Sequence, residues 1–222
     1  MTHYILKFTL LSDASFGSGN GVAGLVDSEV QHDEFGLPYV MGRTLRGMLN
    51  AECADILPAL PQAKPNSWHT AAHQLFGTHG SLDSDSSILH VGNGYLPQDL
   101  RTEIEIVVDD ERRELTSLEV LEALTTIRHQ TAIDAKTEVA LDNSLRSLRV
   151  IVRQTTFMAG LHFMTQPDVL TVPLLAACVK AWRRGGLGRN RGLGKLQAML
   201  CDSTGQDKTD DYFNQFKQAV QS

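Results

Sequence analysis

Residues 171–201 read TVPLLAACVKAWRRGGLGRNRGLGKLQAMLC: an apolar helical stretch, a basic glycine-rich turn and a strand, in that order. Leu175, Cys178, Val179 and Trp182 recur as one apolar helix face, Thr171 and Pro173 suit its start, and Gly185 and Gly186 suit its end. Lys195 to Cys201 then reads as a final strand. That order decides what the turn is not. A P-loop needs GxxxxGK, then Ser or Thr and a helix, but the residue five before Gly194 is Arg189, and Leu196 follows Lys195. A dinucleotide fingerprint needs GxGxxG between a strand and a helix, whereas Gly186 and Gly188 are followed by Arg191 and the turn runs into a strand. Two readings stand. Gly188 to Gly192, with Arg189 and Arg191, offers bare amides and cations to the phosphates of an extended nucleic acid, or it is a connector whose arginines stay solvated.

Working outward, Leu148–Met164 is rich in β-branched and aromatic residues and reads as one extended strand. Tyr4, Leu6, Phe8 and Leu10 alternate as a first strand, which opens into the loop SFGSGNGVAG at 15–24. Leu45, Met48, Leu49, Cys53 and Ile56 put a helix over 43–56, closed by Pro58. Between these lie a short helix at 69–76, a strand at 86–96 and a strand through Ile104, Ile106 and Val108. A helix over 117–127 and a polar arm over 128–145, turning near Asp142 and Asn143, follow. The tail after Asp202 is a terminal helix or a frayed end. Without insertions at 58–85 and 98–146, the order strand, helix, strand, strand, helix, strand is the ferredoxin-like plan of an α+β protein, read as one domain over 1–222.

The chain has 222 residues, 42% of them hydrophobic, enough for one core. Its apolar runs fall short of the roughly 20 residues a membrane helix needs. The start, MTHYILKFTLLSD, carries no basic leader or cleavage site, so the expected location is the cytoplasm. Cys53, Cys178 and Cys201, an odd number without CxxC spacing, read as buried thiols in a reducing compartment. Net charge is −6, yet residues 141–195 hold nine cations against Asp142 and Asp168, a local +7 that leaves −13 elsewhere. Such segregation suggests an electropositive face for a phosphate backbone; scattered solvated side chains are the alternative.

A second basic bend, MGRTLRG at 41–47, opens the helix at 43–56. Cations in a first turn oppose the helix dipole by roughly 0.3 to 1 kcal/mol each. An anion on the helix-start amides, with Arg43, Thr44 and Arg46 around it, compensates; otherwise the arginines bend back to acids such as Glu52. If both bends grip one nucleic acid, they lie side by side along a groove. His69, His73 and His79 have helical metal-ligand spacing, but no CxxC or acidic partner completes a site, so they read as surface histidines. Trp68, Trp182 and the phenylalanines read as core.

The loop SFGSGNGVAG, the run VDSEVQHDEFGLPYVMGRTLRG, LFG at 75–77, IRHQTAID at 127–134 and GGLGRNRGLGKL at 185–196 together resemble the RAMP superfamily, and within it the backbone subunit of type III CRISPR effector complexes. The resemblance implies an RRM-like, ferredoxin-like palm with inserted finger and thumb elements, which polymerises along CRISPR RNA while a hairpin thumb interrupts pairing with target RNA. It implies as partners CRISPR RNA, target RNA, further copies or related RAMP subunits and a large type III subunit. It makes Asp27 the match for the aspartate needed for metal-dependent cleavage, through Mg²⁺ or another divalent cation held with target RNA. Asp33 matches a second, non-catalytic aspartate. Arg43, Thr44, Arg46, Gly188, Arg189, Arg191 and Gly192 become RNA-binding positions, with Arg128 on the arm. Met41 stands where the family commonly has proline, and Arg43 where it has serine. From the residues alone, Asp27 reads as a turn-capping loop residue. Three activities stay open: a target-RNA endonuclease, a guide-RNA scaffold without catalysis, and a guide-processing endoribonuclease with His3 or His32 as acid or base.

Overall fold

The computed structural model describes residues 3–22, 25–60, 65–77, 87–110, 115–131, 139 and 144–221. The alternation of the first strand is realised in β1 (His3–Leu10), where Tyr4, Leu6, Phe8 and Leu10 face inward and His3 and Lys7 face solvent. β1 is central to a four-stranded antiparallel sheet ordered β2 (Leu89–Val91), β5 (Thr156–Phe163), β1, β6 (Leu196–Asp202). Helices α1 (Gly42–Ile56) and α5 (Thr171–Ala181) provide the two other members of the plan. This is the ferredoxin-like arrangement expected from the element order.

α1 turns Leu45, Leu49 and Cys53 inward and ends where Leu57 and Pro58 tighten into a 3₁₀ turn, because proline cannot continue an α-helix. α5 is buried along nearly its whole length, and Trp182 closes it against Phe8, with ring centroids 5.1 Å apart. Each fully buried Leu or Phe contributes about 1.5–3 kcal/mol, so this packing holds the site's framework rigid. α2 (Pro65–Phe76) adds Trp68, Ala71 and Leu75 to the same core, and α6 (Thr209–Gln221) packs on α5 and meets Trp68 through Phe216. The tail is therefore helical. Cys53, Cys178 and Cys201 are free and buried, as read from sequence. No helix among the described residues is long and apolar enough to cross a membrane.

Four local readings are corrected. Gln98–Asp109 forms a helix, α3, instead of a strand: the alternation of Ile104, Ile106 and Val108 is embedded in a longer Leu100, Ile104, Val108 repeat, and Arg101 pairs with Glu105 one turn on at 3.1 Å. The helix read over 117–127 stops at Leu124, after which β-branched Thr125 opens a strand, giving α4 (Ser117–Leu124) and β3 (Thr125–Gln130). Residues 148–164 are two strands in two sheets. β4 (Arg146–Ile151) pairs with β3 as a hairpin base, and the chain turns at Gln154, φ 70°, before β5. The strand read over 86–96 shrinks to β2, followed by single bridges from Gly94 to Val40 and from Tyr95 to Met158. The turn expected near Asp142 and Asn143, and His79, fall outside the described residues.

Candidate nucleic-acid interface

The loop after β1 is held against the hairpin base. Asp27 N donates to Ser147 O (2.8 Å), while Asp27 Oδ2 accepts from Ser147 N (2.6 Å) and Ser147 Oγ (3.2 Å). Ser28 forms a parallel bridge with Leu148, and Arg149 N donates to Ser28 O (3.0 Å), so residues 27–28 act as a short extra strand beside β4. Beneath it lies a buried ion pair: Arg149 Nε sits 2.9 Å from Glu29 Oε1 and donates to Oε2 at 3.0 Å, and Nη1 donates to Thr125 Oγ1 at 3.1 Å. Glu29 Oε1 also accepts from Val30 N, so the pair is hydrogen-bonded on both sides.

A second carboxylate ties the hairpin to the glycine turn. Asp13 accepts from Arg128 Nη2 at 2.5 Å and from Arg153 N at 3.1 Å, and its carbonyl accepts from Gly194 N at 2.8 Å. Burial works to raise the Asp13 pKa, but the Arg128 and Arg153 hydrogen bonds and charges outweigh it, and the carboxyl is held below its ordinary value. Arg128, expected to bind RNA, thus has a framework partner while remaining half exposed.

The turn itself requires glycine. At Gly194, φ 70°, an added Cβ would lie 1.9 Å from Gly185 O; at Gly186, φ 81°, it would lie 2.4 Å from Ser15 O. These approaches let Gly185 N donate to Gly194 O and Leu187 N to Ser15 O, which closes the turn and seats it on the loop after β1. Gly188, Arg189 and Arg191 thereby line a depression of about 530 Å³ together with Asp27, Arg146 and Ser147. Gly192, φ 87°, sits at the turn's exposed crest, outside that lining. Among the described residues, the guanidinium groups of Arg146, Arg189 and Arg191 form no ion pair.

Asp27 is fully exposed, and its pKa is lowered first by the Ser147 amide, then by the Ser147 hydroxyl, with the charge of Arg146 adding to the effect. Among the described residues it is the only carboxylate lining this depression, and no three metal-ligating side chains converge anywhere.

The bend at 41–47 is built differently. Gly42 N donates to Asn93 Oδ1 (2.8 Å) and Thr44 N to Met41 O (2.9 Å), so the helix-start amides are not the open anion nest that the sequence suggested. Arg46 is half-buried and donates from Nη2 to Phe76 O (2.9 Å), satisfying a carbonyl at the end of α2 instead of bending to Glu52. Arg43 is exposed and lines a separate depression of about 520 Å³ with His90 and Asn93; Thr44 is exposed beside it. The two bends are neighbours, since Met48 of α1 packs at Gly185 and Glu52 lies in the field of Arg189 and Arg183. They open into two depressions and not one, and Arg46 lines neither.

Asp33 accepts from Phe35 N and Leu37 N and lies 3.6 Å from Arg101, so it shapes its own turn. His32 Nδ1 is 3.0 Å from Asp33 O; His3 Nδ1 meets His162 Nδ1 at 2.5 Å on the open sheet face. His69 and His73 are exposed. The sequence reading missed Arg146, Ser147 and the Glu29–Arg149 pair. The cation count over 141–195 included both arginines, but the Arg149–Glu29 pair and the Ser147–Asp27 contacts join residues about 120 positions apart and leave no local signal.

None of the curated proteins matches the sequence. Among solved structures, the chain is similar to a subunit of the type III-B Cmr-beta assembly determined by cryo-EM bound to cognate target RNA, with a TM-score of 0.63 and 12% identity over 96% of this chain and 99% of that one. A subunit of the same assembly in its apo state gives a TM-score of 0.60 and 12% identity over 90% of this chain and 97% of that one. At such identity the likeness is one of fold. The model of the RAMP superfamily matches residues 7–197. Because those residues begin within β1 and end within β6, they take in the central sheet, both helices packed on it and the loops that meet at Asp27, and the chain belongs to the RAMP superfamily.

Proposed function

We propose that this protein is a guide-RNA-binding backbone subunit of a type III CRISPR interference complex and that Asp27 takes part in metal-assisted cleavage of target RNA. One observation carries the reading: Asp27 shares one depression with Arg189 and Arg191 of the glycine turn, which form no ion pair among the described residues, although more than 160 residues of chain separate them. The partners that follow are CRISPR RNA, target RNA, further copies or related RAMP subunits, and a large subunit.

RNA carries its own nucleophile. Cleavage requires the 2′-oxygen, the phosphorus and the leaving 5′-oxygen in line, a geometry that a regular A-form helix forbids and that a hairpin prising one nucleotide out permits. Asp27, kept ionised by Ser147, offers Oδ1 as an acceptor that orients the 2′-hydroxyl; Oδ2 is occupied by Ser147. The 2′-oxygen bonds to phosphorus as the bond to the 5′-oxygen breaks, which gives a 2′,3′-cyclic phosphate; the 2′-hydroxyl proton passes to solvent water, and the departing 5′-oxygen takes a proton from solvent water. Arg189 and Arg191 hold backbone phosphates in place.

The donor set does not suit Zn²⁺, which needs three or four protein ligands. It does suit Mg²⁺, which keeps its waters and binds through one or two carboxylates plus substrate phosphates, with Asp27 as the protein ligand. When bound, Mg²⁺ supplies positive charge beside the scissile phosphate.

In assembled complexes, Asp27→Ala is expected to abolish periodic target cuts while guide RNA still co-purifies; unchanged cutting refutes the catalytic role. A second reading, scaffold only, draws support from the Ser147 contacts, which give Asp27 structural work. Under it, Asp27→Ala loosens the hairpin and lowers target affinity without any cleavage to lose.

A further inference from the structure

Arg146 is the first residue of β4, adjacent to the Ser147 that grips Asp27 and across the hairpin from Gln130. Its side chain is exposed, lines the Asp27 depression, and forms no ion pair among the described residues. The contrast with Arg149, three residues on, is informative. Arg149 is 4% exposed and committed to Glu29 and Thr125. One arginine of β4 builds the hairpin base; the other is left pointing at the same space as Asp27.

We infer that Arg146 is a catalytic residue, its guanidinium contacting a non-bridging oxygen of the target-strand phosphate beside Asp27. The inference rests on the reading of Asp27 given above. A carboxylate and a guanidinium on one wall divide the work that in-line attack demands. Asp27 orients the 2′-hydroxyl, and Arg146 meets the negative charge that builds on the phosphate oxygens as the 2′-oxygen bond forms and the 5′-oxygen bond breaks. Arginine suits this role because its planar fork stays charged and matches two phosphate oxygens at once. Arg189 and Arg191, from the glycine turn that lines the same depression, hold the backbone and leave the reacting phosphate to Arg146. Among the described residues Arg146 forms no ion pair, so its removal tests the site rather than stability.

The experiment uses assembled complexes carrying wild-type, Arg146→Ala or Arg146→Lys subunits and a synthetic matched target RNA. Single-turnover cleavage at saturating target is expected to slow by about 10²-fold in Arg146→Ala, the scale for losing one oxyanion donor, and to recover in part in Arg146→Lys, with guide content unchanged. A saturated rate within about threefold of wild type overturns the inference. Target affinity measured in EDTA against salt gives a second readout, independent of cutting. Arg146→Ala should reduce the slope of log affinity against log salt by about one, and an unchanged slope overturns the contact. If the wild-type complex does not cut, the Asp27 reading fails while the salt slope still decides whether Arg146 touches target phosphate.

Discussion

At the start of α1 the fold consumes much of what it offers, though Arg43 stays exposed: Asn93 takes the Gly42 amide, and Arg46 spends its guanidinium on the Phe76 carbonyl. In the turn after α5, glycine backbone closes on itself and on Ser15, and Arg189 and Arg191 are left facing a depression with a carboxylate across it. Both bends are basic and glycine-containing. The difference lies in where the internal hydrogen-bond partners are. A bend packed against the end of α2 and the segment after β2 finds carbonyls and side-chain acceptors to satisfy, whereas a bend lying over a loop finds few, and its cations stay open. The same division separates Arg149 from Arg146 within a single strand.

The largest effect expected from this division is on stability. Arg149→Ala leaves Glu29 buried without its partner and should cost about 3–5 kcal/mol in denaturant unfolding, whereas Arg146→Ala should leave the transition where it is. Equal losses for the two would erase the distinction. Next come the two bends. Arg191→Ala should weaken guide-RNA binding about tenfold and lower the salt slope by about one, while Arg46→Ala should shift thermal unfolding, by about 1 kcal/mol for a lost hydrogen bond, with a smaller effect on RNA. A larger RNA defect in Arg46→Ala would reverse the assignment.

The smallest effect is one of pH. Because the folded-state pKa of Asp13 is depressed, the stability it contributes is complete above the ordinary aspartate range and is lost as pH falls through the folded value, which lies below 3.8. Unfolding followed from pH 6 to pH 3 should show this loss in the wild type, and Asp13→Asn should flatten it. A parallel pair of curves would mean that the Arg128 and Arg153 contacts do not hold in solution.

Much of the palm was legible in the sequence because its elements are single-period and local. β1 alternates, α1 and α5 carry unbroken helical stripes, and Gly185 and Gly186 punctuate the helix end. Misreadings arose where two periods overlap, as at Leu100, Ile104 and Val108 in α3, or where one β-rich run serves two sheets, as at 146–163. Asp27 was found through family resemblance; on its own residues it read as a turn cap, and the Ser147 contacts show that it does hold a local structure together.

The amino-acid sequence by itself determined the ferredoxin-like order, the buried thiols, and the helix end at Gly185 and Gly186, since propensity, hydrophobic period and backbone freedom are properties of neighbouring residues. Only the tertiary structure decided which of the many arginines are tied into the framework and which line an open depression. Charge is written residue by residue, but a charge is neutralised by whatever the fold brings within reach: Arg149 is met by Glu29, 120 positions earlier in the chain, while Arg146, three residues before Arg149, lines an open depression.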